Sequence, residues 1–504
     1  MKKILCGLIV VGMISGCSDP ILQNESEKPE PEKAFALVDV MSGNAVLEDW
    51  HENNVITRVI WQKLKLSEAC GEKYPALLDA FEKYNEESLT EAKAQMYELT
   101  PLAKEMEGEE YNPVYCGAEA KLYLQRADNH IVSFFEGVET YTGGIHPDYV
   151  VNGRNYSPET GAEVKLTEVL TDTKDLPSIL EKKITEKYPG VTFFELEDTF
   201  SKYKPEEFTW TADYQGITFW FSPYEIAAYA VGTLSAKIWF DEYPELFNKA
   251  YVEAPSDYVM TLPVGHEIEF DLEGDGVKDT IYTEKRLDQY GSYNMLSVTV
   301  NGKTGTDEIN YAYDFDVYLV HMDDKNYIYS DSTSDNDYHM FCTWDINGDT
   351  PKITQELYGT EMDYHFVEEG YETGTVYKQA FNHPESFVLE TRFDILGTRG
   401  ATAAYQVSKT DGTPEMKDGV YTFNYGHEVT TIIPLEAELL PDMEKTELPV
   451  GTSLTPYQTD GKSYVDLKTK EEQIVRLAID ESDWPRKVNG IPEDECFENL
   501  MYAG

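Results

Sequence analysis

From Leu262 to the C-terminus, glycine, asparagine and aspartate turns cut the chain into apolar and β-branched runs too short to be helices. That texture predicts an all-β region over nearly half of the sequence. The stretch before it has a different period. Leu77, Leu78, Phe81 and Tyr84, then Leu89, Ala92, Met96 and Leu99, recur at spacings of three and four, which predicts a helix stopped by Pro101. Residues 118–140 read as a hairpin about Asp128-Asn129, 163–169 as a strand, 176–188 as a helix, 236–240 as a strand, and 245–250 as a short closing helix. The expected fold is an α+β domain at 35–252 and an all-β domain at 260–445. A small C-terminal β unit follows at 446–504, capped by a short helix carrying Phe497, Leu500 and Met501.

The first residues set the compartment. Lys2 and Lys3 precede an uncharged run that ends in Ile14-Ser15-Gly16-Cys17, the pattern of a secretory signal with small residues before the cut. The run is about half of the ~20 residues that a spanning helix needs, and no later uncharged stretch is long enough to replace it. Residues 1–16 resemble a bacterial lipoprotein signal, and Cys17 stands where that family's lipidated cysteine becomes the new N-terminus. The resemblance implies an extracytoplasmic protein that contacts the membrane through a lipid anchor alone. Residues 17–34 are rich in Glu and Pro, too poor in apolar groups to pack, and read as a tether.

Acidic residues number 93 against 41 basic ones, giving a formal charge of −52, or −54 once Lys2 and Lys3 are removed. Such a surface repels phosphate backbones and anionic headgroups, which argues against nucleic-acid binding and favours cationic partners. Past Cys17 only Cys70, Cys116, Cys342 and Cys496 remain, with no CxxC pair to suggest zinc or thioredoxin-like chemistry. Cys70 and Cys116 fall in the same region and read as either a disulfide or two buried thiols.

The densest text is Tyr141-Thr142-Gly143-Gly144-Ile145-His146-Pro147, where two glycines break a strand-like run and a polar hairpin follows. Its Gly143 to Pro147 part, with Asn155 to Leu166 and with Phe221 to Gly232, which holds Tyr224 and Glu225, makes three ordered blocks. These blocks resemble the extracytoplasmic domain shared by anti-sigma-V factors and PdaC-type peptidoglycan deacetylases, over residues 40–250. The resemblance implies an α+β fold, with Gly143, Gly144, His146, Pro147, Tyr224 and Glu225 as its signature. In the anti-sigma relatives this domain binds lysozyme; in the deacetylases it accompanies the catalytic domain. The chain has neither a sigma-binding segment with a spanning helix nor a metal-dependent deacetylase domain, so the binding part is what the resemblance leaves.

One loop in the β region offers metal chemistry. Asp271, Glu273, Asp275 and Asp279 present carboxylates with Gly274 and Gly276 between them, and Val277 can add a carbonyl, a set suited to Ca²⁺. Tyr282 stands where an EF-hand needs its bidentate Glu, and the loop is closer to the Asp-rich turns of integrin-type β-propellers. A degraded copy at Asp345-Ile346-Asn347-Gly348-Asp349 leaves a propeller-like arrangement open.

Catalytic motifs are thin. His266-Glu267 and His427-Glu428 lack the second His of a zinc protease, Asn301-Gly302 reads as a hairpin turn, and no Gly-x-Ser-x-Gly elbow occurs. The expected function is a non-catalytic envelope binding or sensing protein, with a lysozyme-like cationic protein or cell-wall glycan as ligand. Two other readings stay open, a hydrolase or transferase acting on envelope glycan and an adhesin stiffened by Ca²⁺.

Overall fold

Alternate residues of β1 (Val40–His51) turn inward, with Met41, Gly43 and Ala45 buried and Asn44 and Val46 exposed, as a strand with one covered face requires. It pairs antiparallel with β2 (Asn54–Leu66). The computed structural model describes residues 35–106, 116–287, 294–308, 312–334, 338–367, 375–379, 381–424, 427–480, 482 and 484–503. The signal, the tether and Cys17 lie outside them.

β3 (Cys116–Ala127) runs parallel to β2, and parallel neighbours cannot be joined by a tight turn. The crossover is helical: α1 (Glu68–Lys73) and then α2 (Pro75–Glu105), whose Leu77, Phe81, Tyr84, Ala92 and Leu99 are buried. The helix does not stop at Pro101. Leu99 and Ala103, on either side of it, pack with Ile56, Val59 and Trp61 of the sheet, and that burial holds the last turn despite the missing N–H. β4 (Val132–Tyr141) and β5 (Asp148–Tyr156) complete this sheet by antiparallel pairing.

Cys70 and Cys116 are not bonded to each other; both are buried free thiols. Cys70 belongs to the cluster under the first half of α2 and accepts the Asp39 N–H at 3.2 Å, whereas Cys116 belongs to the cluster under the second half. The length of α2 separates the two clusters.

A second layer covers the sheet. It consists of α3 (Leu166–Val169), α4 (Leu176–Lys187), α5 (Leu196–Lys202) and a three-stranded sheet of β6 (Thr209–Ala212), β7 (Gly216–Phe221) and β8 (Leu234–Trp239). Its core is Leu180, Ile184, Phe200, Ile217 and Phe219. The strand expected at 163–169 is a single bridge from Glu163 to Tyr156 followed by α3, because Leu166 and Val169 reach this core on one helical turn. A Cβ on Gly153 of β5 would stand 1.9 Å from the Trp210 carbonyl oxygen, so glycine lets β5 and β6 meet. α6 (Lys249–Val252) ends the layer.

In the β region, β9 (Tyr258–Thr261) precedes a four-stranded meander of β10 (Glu267–Phe270), β11 (Asp279–Leu287), β12 (Asn294–Val300) and β13 (Lys303–Thr306). β14 (Asp314–Met322), β15 (Lys325–Thr333), β16 (His339–Asp345) and β17 (Lys352–Tyr358) form a five-stranded sheet with β9 at its edge. β18 (Thr360–Met362) opens the last sheet, but β19 (Tyr364–Val367) and β20 (Thr375–Lys378) turn back to the N-terminal one. There β20 pairs with β1 through Gly43 and Asn44, giving seven strands in the order β19-β20-β1-β2-β3-β4-β5.

The last sheet holds fourteen strands among the described residues, from β18 to Phe497–Glu498. The fold is thus an α+β region followed by a long all-β region, and the described residues form no closed barrel. In the all-β region, sheets of four, five and fourteen strands are not the equal blades of a propeller. The boundary expected at 445/446 falls inside Glu444–Leu448, a strand of one hairpin with Leu435–Leu439. The terminal helix shrinks to α7 (Glu493–Cys496), and Phe497 is in a strand. Glu493 explains this: buried, it accepts the Leu396 N–H at 2.7 Å and the Tyr502 hydroxyl at 2.8 Å, pulling the chain flat against its neighbours.

The two regions share a core. Tyr123 and Phe135 of the first sheet pack in one cluster with Trp220, Phe270, Leu296, Phe315 and Trp344, and residues Phe35–Gly504 form one compact unit. No described helix is long and apolar enough to cross a membrane.

Candidate functional site

The loop from Tyr141 to Pro147 joins β4 to β5. Gly143 has φ 85°, which a side chain would strain, while Gly144 has ordinary φ and room for a Cβ, its nearest neighbour 3.8 Å away. The Tyr141 hydroxyl donates to the Gly144 carbonyl at 3.1 Å, and Ile145 projects with its side chain fully exposed. His146 stacks on Tyr229 at 4.0 Å between centroids and 20° between planes, with Nδ1 3.0 Å from the Pro147 carbonyl oxygen. The Tyr229 hydroxyl donates to that same carbonyl. His146 and Pro147 therefore lock the loop onto the 221–232 segment.

Tyr224 has φ 71° and is largely exposed, with its ring 5.3 Å from Tyr229. Glu225 faces inward. Its carboxylate accepts the Ser222 N–H at 2.9 Å and the Tyr203 hydroxyl at 3.2 Å, and burial raises its pKa above the usual carboxylate range. It closes the turn that presents Tyr224. Asn155 is likewise internal, bonded to Ser133 and to the Trp210 carbonyl.

Beneath Pro147 and Tyr229 lies a cleft of about 490 Å³. Tyr149, Tyr188, Tyr229 and Tyr282 stand around it partly exposed, Trp220 contributes to its floor, and Glu139 and Glu267 are at its rim. His266 stacks on Tyr149 at 5.4 Å and 30°, and meets Trp220 edge-on at 6.3 Å. Loss of water lowers its pKa to about 4, so the ring is neutral at pH 7, and its Nδ1 lies 3.4 Å from the Val264 carbonyl oxygen. Burial and the nearby Glu119 raise the pKa of Glu139. Aromatic faces with a few carboxylates and a neutral imidazole suit a ligand that is apolar on its flat sides and hydroxylated at its edge.

The sequence pointed to the loop but not to this cleft. Tyr149, Tyr188 and the β10–β11 hairpin that carries His266 and Tyr282 are three segments joined only by folding, and the sequence around His266 showed only that the second His of a zinc protease is missing. The partial signal was the aromatic run Thr218-Phe219-Trp220-Phe221, whose Trp220 reaches the site.

The acidic loop at Asp271 is bound up in its own turn. Asp271 accepts N–H groups from Asp275 at 3.2 Å and Gly276 at 2.9 Å, Asp275 accepts from Val277 at 2.8 Å, and Asp279 accepts from Leu272 at 2.9 Å. Asp279 also takes the Asn301 side-chain amide at 2.6 Å, and Glu273 is exposed. Among the described residues no three His, Cys, Asp or Glu side chains converge in a metal-holding group.

Comparison with known proteins finds a family match within the later part of the N-terminal region. Residues 166–241 match the family model described as "Protein of unknown function (DUF3298)". The match runs from α3 to just past β8, the layer that supplies Tyr188, Trp220 and Tyr229 to the cleft. Among solved structures, the chain is similar to a DUF3298 family member from Bacteroides fragilis NCTC 9343, with 18% identity and a TM-score of 0.33 over 42% of this chain and 94% of that one. It is also similar to a DUF3298 family protein from Pseudomonas aeruginosa PAO1, with 11% identity and a TM-score of 0.29 over 44% and 98% of the two chains. No curated protein matches.

Proposed function

We propose that this chain is a lipid-anchored, extracytoplasmic binding protein of the bacterial envelope, and that its ligand is cell-wall glycan held without catalysis in the aromatic cleft. The observation that carries the reading is the cleft itself: four partly exposed tyrosines over a tryptophan floor, with two glutamates at the rim. Pyranose rings offer C–H faces to aromatic side chains and hydroxyls to carboxylates, so the lining matches their chemistry. The lipoprotein-like start at Cys17 and the resemblance of residues 40–250 to the anti-sigma-V and PdaC-type extracytoplasmic domain support the same compartment and role. Titrating the soluble chain beginning at residue 34 with N-acetylglucosamine oligomers and muropeptides tests it. Tyr149→Ala and Tyr282→Ala should each weaken binding about tenfold, the scale of one lost aromatic contact with its buried area. Binding unaffected by both changes would remove the cleft from the account.

A second reading has its own observation. Ile145 is a fully exposed aliphatic side chain at the tip of the signature loop on a protein of net charge −52, which suits docking by a cationic protein such as lysozyme. Lysozyme binding at ~0.1 M salt, lost in Ile145→Glu and kept in Tyr282→Ala, would favour this reading over the glycan.

A further inference from the structure

A second cavity, separate from the aromatic cleft, lies where the N-terminal sheet meets the five-stranded sheet. Its volume is about 430 Å³, and β1, β3, β14, β15 and β20 contribute to its lining. Lysine and aspartate alternate along its wall. Lys285 Nζ is 2.9 Å from Asp314, Lys121 Nζ bridges Asp314 at 3.1 Å and Asp316 at 3.2 Å, and Lys378 Nζ bridges Asp316 at 2.5 Å and Asp331 at 2.8 Å. Side-chain exposure falls along the series from 44% at Asp314 to 1% at Asp331, so the series runs from mouth to floor.

The series ends at Asp331, near the His339 ring, which is itself 3.1 Å from Glu361. Asp331 Oδ2 takes Lys378 and the Met362 N–H, but Oδ1 is buried and has no hydrogen-bond partner among the described residues. Burial raises the pKa of this carboxyl, and Lys378 offsets part of the effect. A buried carboxylate oxygen left unsatisfied is costly, and native structures rarely keep one without a ligand or ordered water.

We propose that this cavity is a ligand site for a small primary amine with a compact apolar body, whose ammonium group completes the alternation at Asp331 Oδ1. An ammonium supplies the charge-assisted hydrogen bond that this oxygen lacks. A divalent cation fits less well, since it needs several oxygens and those of Asp314 and Asp316 already face lysines. Val40, Leu124, Phe315 and Phe381 form the apolar part of the lining, which sets the apolar body.

The test is calorimetric titration of the full chain with phenethylamine and, separately, with 2-phenylethanol, which keeps the ring and lacks the ammonium. The amine should bind at least about tenfold more tightly than the alcohol, and Asp331→Asn should reduce amine binding by at least about tenfold. If Asp331→Asn does not fold, the two ligands on the unaltered chain decide the matter alone. Equal affinity for amine and alcohol, no binding of the amine up to about 10 mM, or unchanged binding in a folded Asp331→Asn would each overturn the proposal.

Discussion

At the scale of single residues, His266 gives the protein a pH dependence that can be written down with its sign. Packed against Tyr149, Phe135 and Trp220, the ring titrates at about 4 in the folded chain and at about 6.5 when unfolded. Between those values the unfolded chain holds a proton that the folded chain does not, so stability falls as pH drops from about 6.5 to about 4. Urea unfolding at a series of pH values should show this slope, and His266→Phe should flatten its share; an unchanged slope would mean that the ring is solvated. Nothing near His266 in the sequence announced this environment. Its neighbours are supplied by β4, β5 and β7, whereas the signature residues were legible because they lie side by side in the chain. Even there the roles divided after folding. Gly143 bears the conformational constraint and Gly144 does not, and Glu225 supports the turn where Tyr224 meets solvent.

Among elements, the turn between β3 and β4 is fastened to the chain that leaves the α+β region. Arg126 and Asp128 pair at 2.5 Å with both side chains fully buried, and the guanidinium donates to the carbonyls of Asp213 at 3.2 Å, Tyr251 at 2.7 Å and Glu253 at 2.7 Å. Removing one member of a buried, hydrogen-bonded pair strands the other charge, so Arg126→Met should cost about 3–5 kcal/mol in urea unfolding. A loss below about 1 kcal/mol would show that Asp128 finds water instead. Hairpins and α4 were readable from local alternation and from spacings of three and four. The misread elements are those where packing outvotes local signals: α2 runs through Pro101, Leu166 and Val169 coil toward the second core, and Phe497 is drawn into a strand beside Thr431. Arg126 carried no signal, since its partners at 213, 251 and 253 are remote in sequence.

For the whole molecule, the β19–β20 hairpin on β1 and the core shared by Phe135, Trp220 and Phe315 join regions that composition had divided at 252/260. The all-β texture was plain because turns and strands are local, but no local feature says which sheet a strand will enter. The chain from Phe35 should therefore melt in one calorimetric transition with equal calorimetric and van't Hoff enthalpies; two resolved peaks would show independent domains. The two ends of β4 carry a last consequence. Phe35 enters beside His130 at one end, and the Tyr141–Pro147 loop leaves the other, roughly 30 Å away at ~3.4 Å per residue. The chain therefore enters the fold at the end of the strand opposite the cleft, so whatever is joined ahead of Phe35, including a lipid on Cys17 as proposed, is attached at the end of β4 away from the ligand-facing loop.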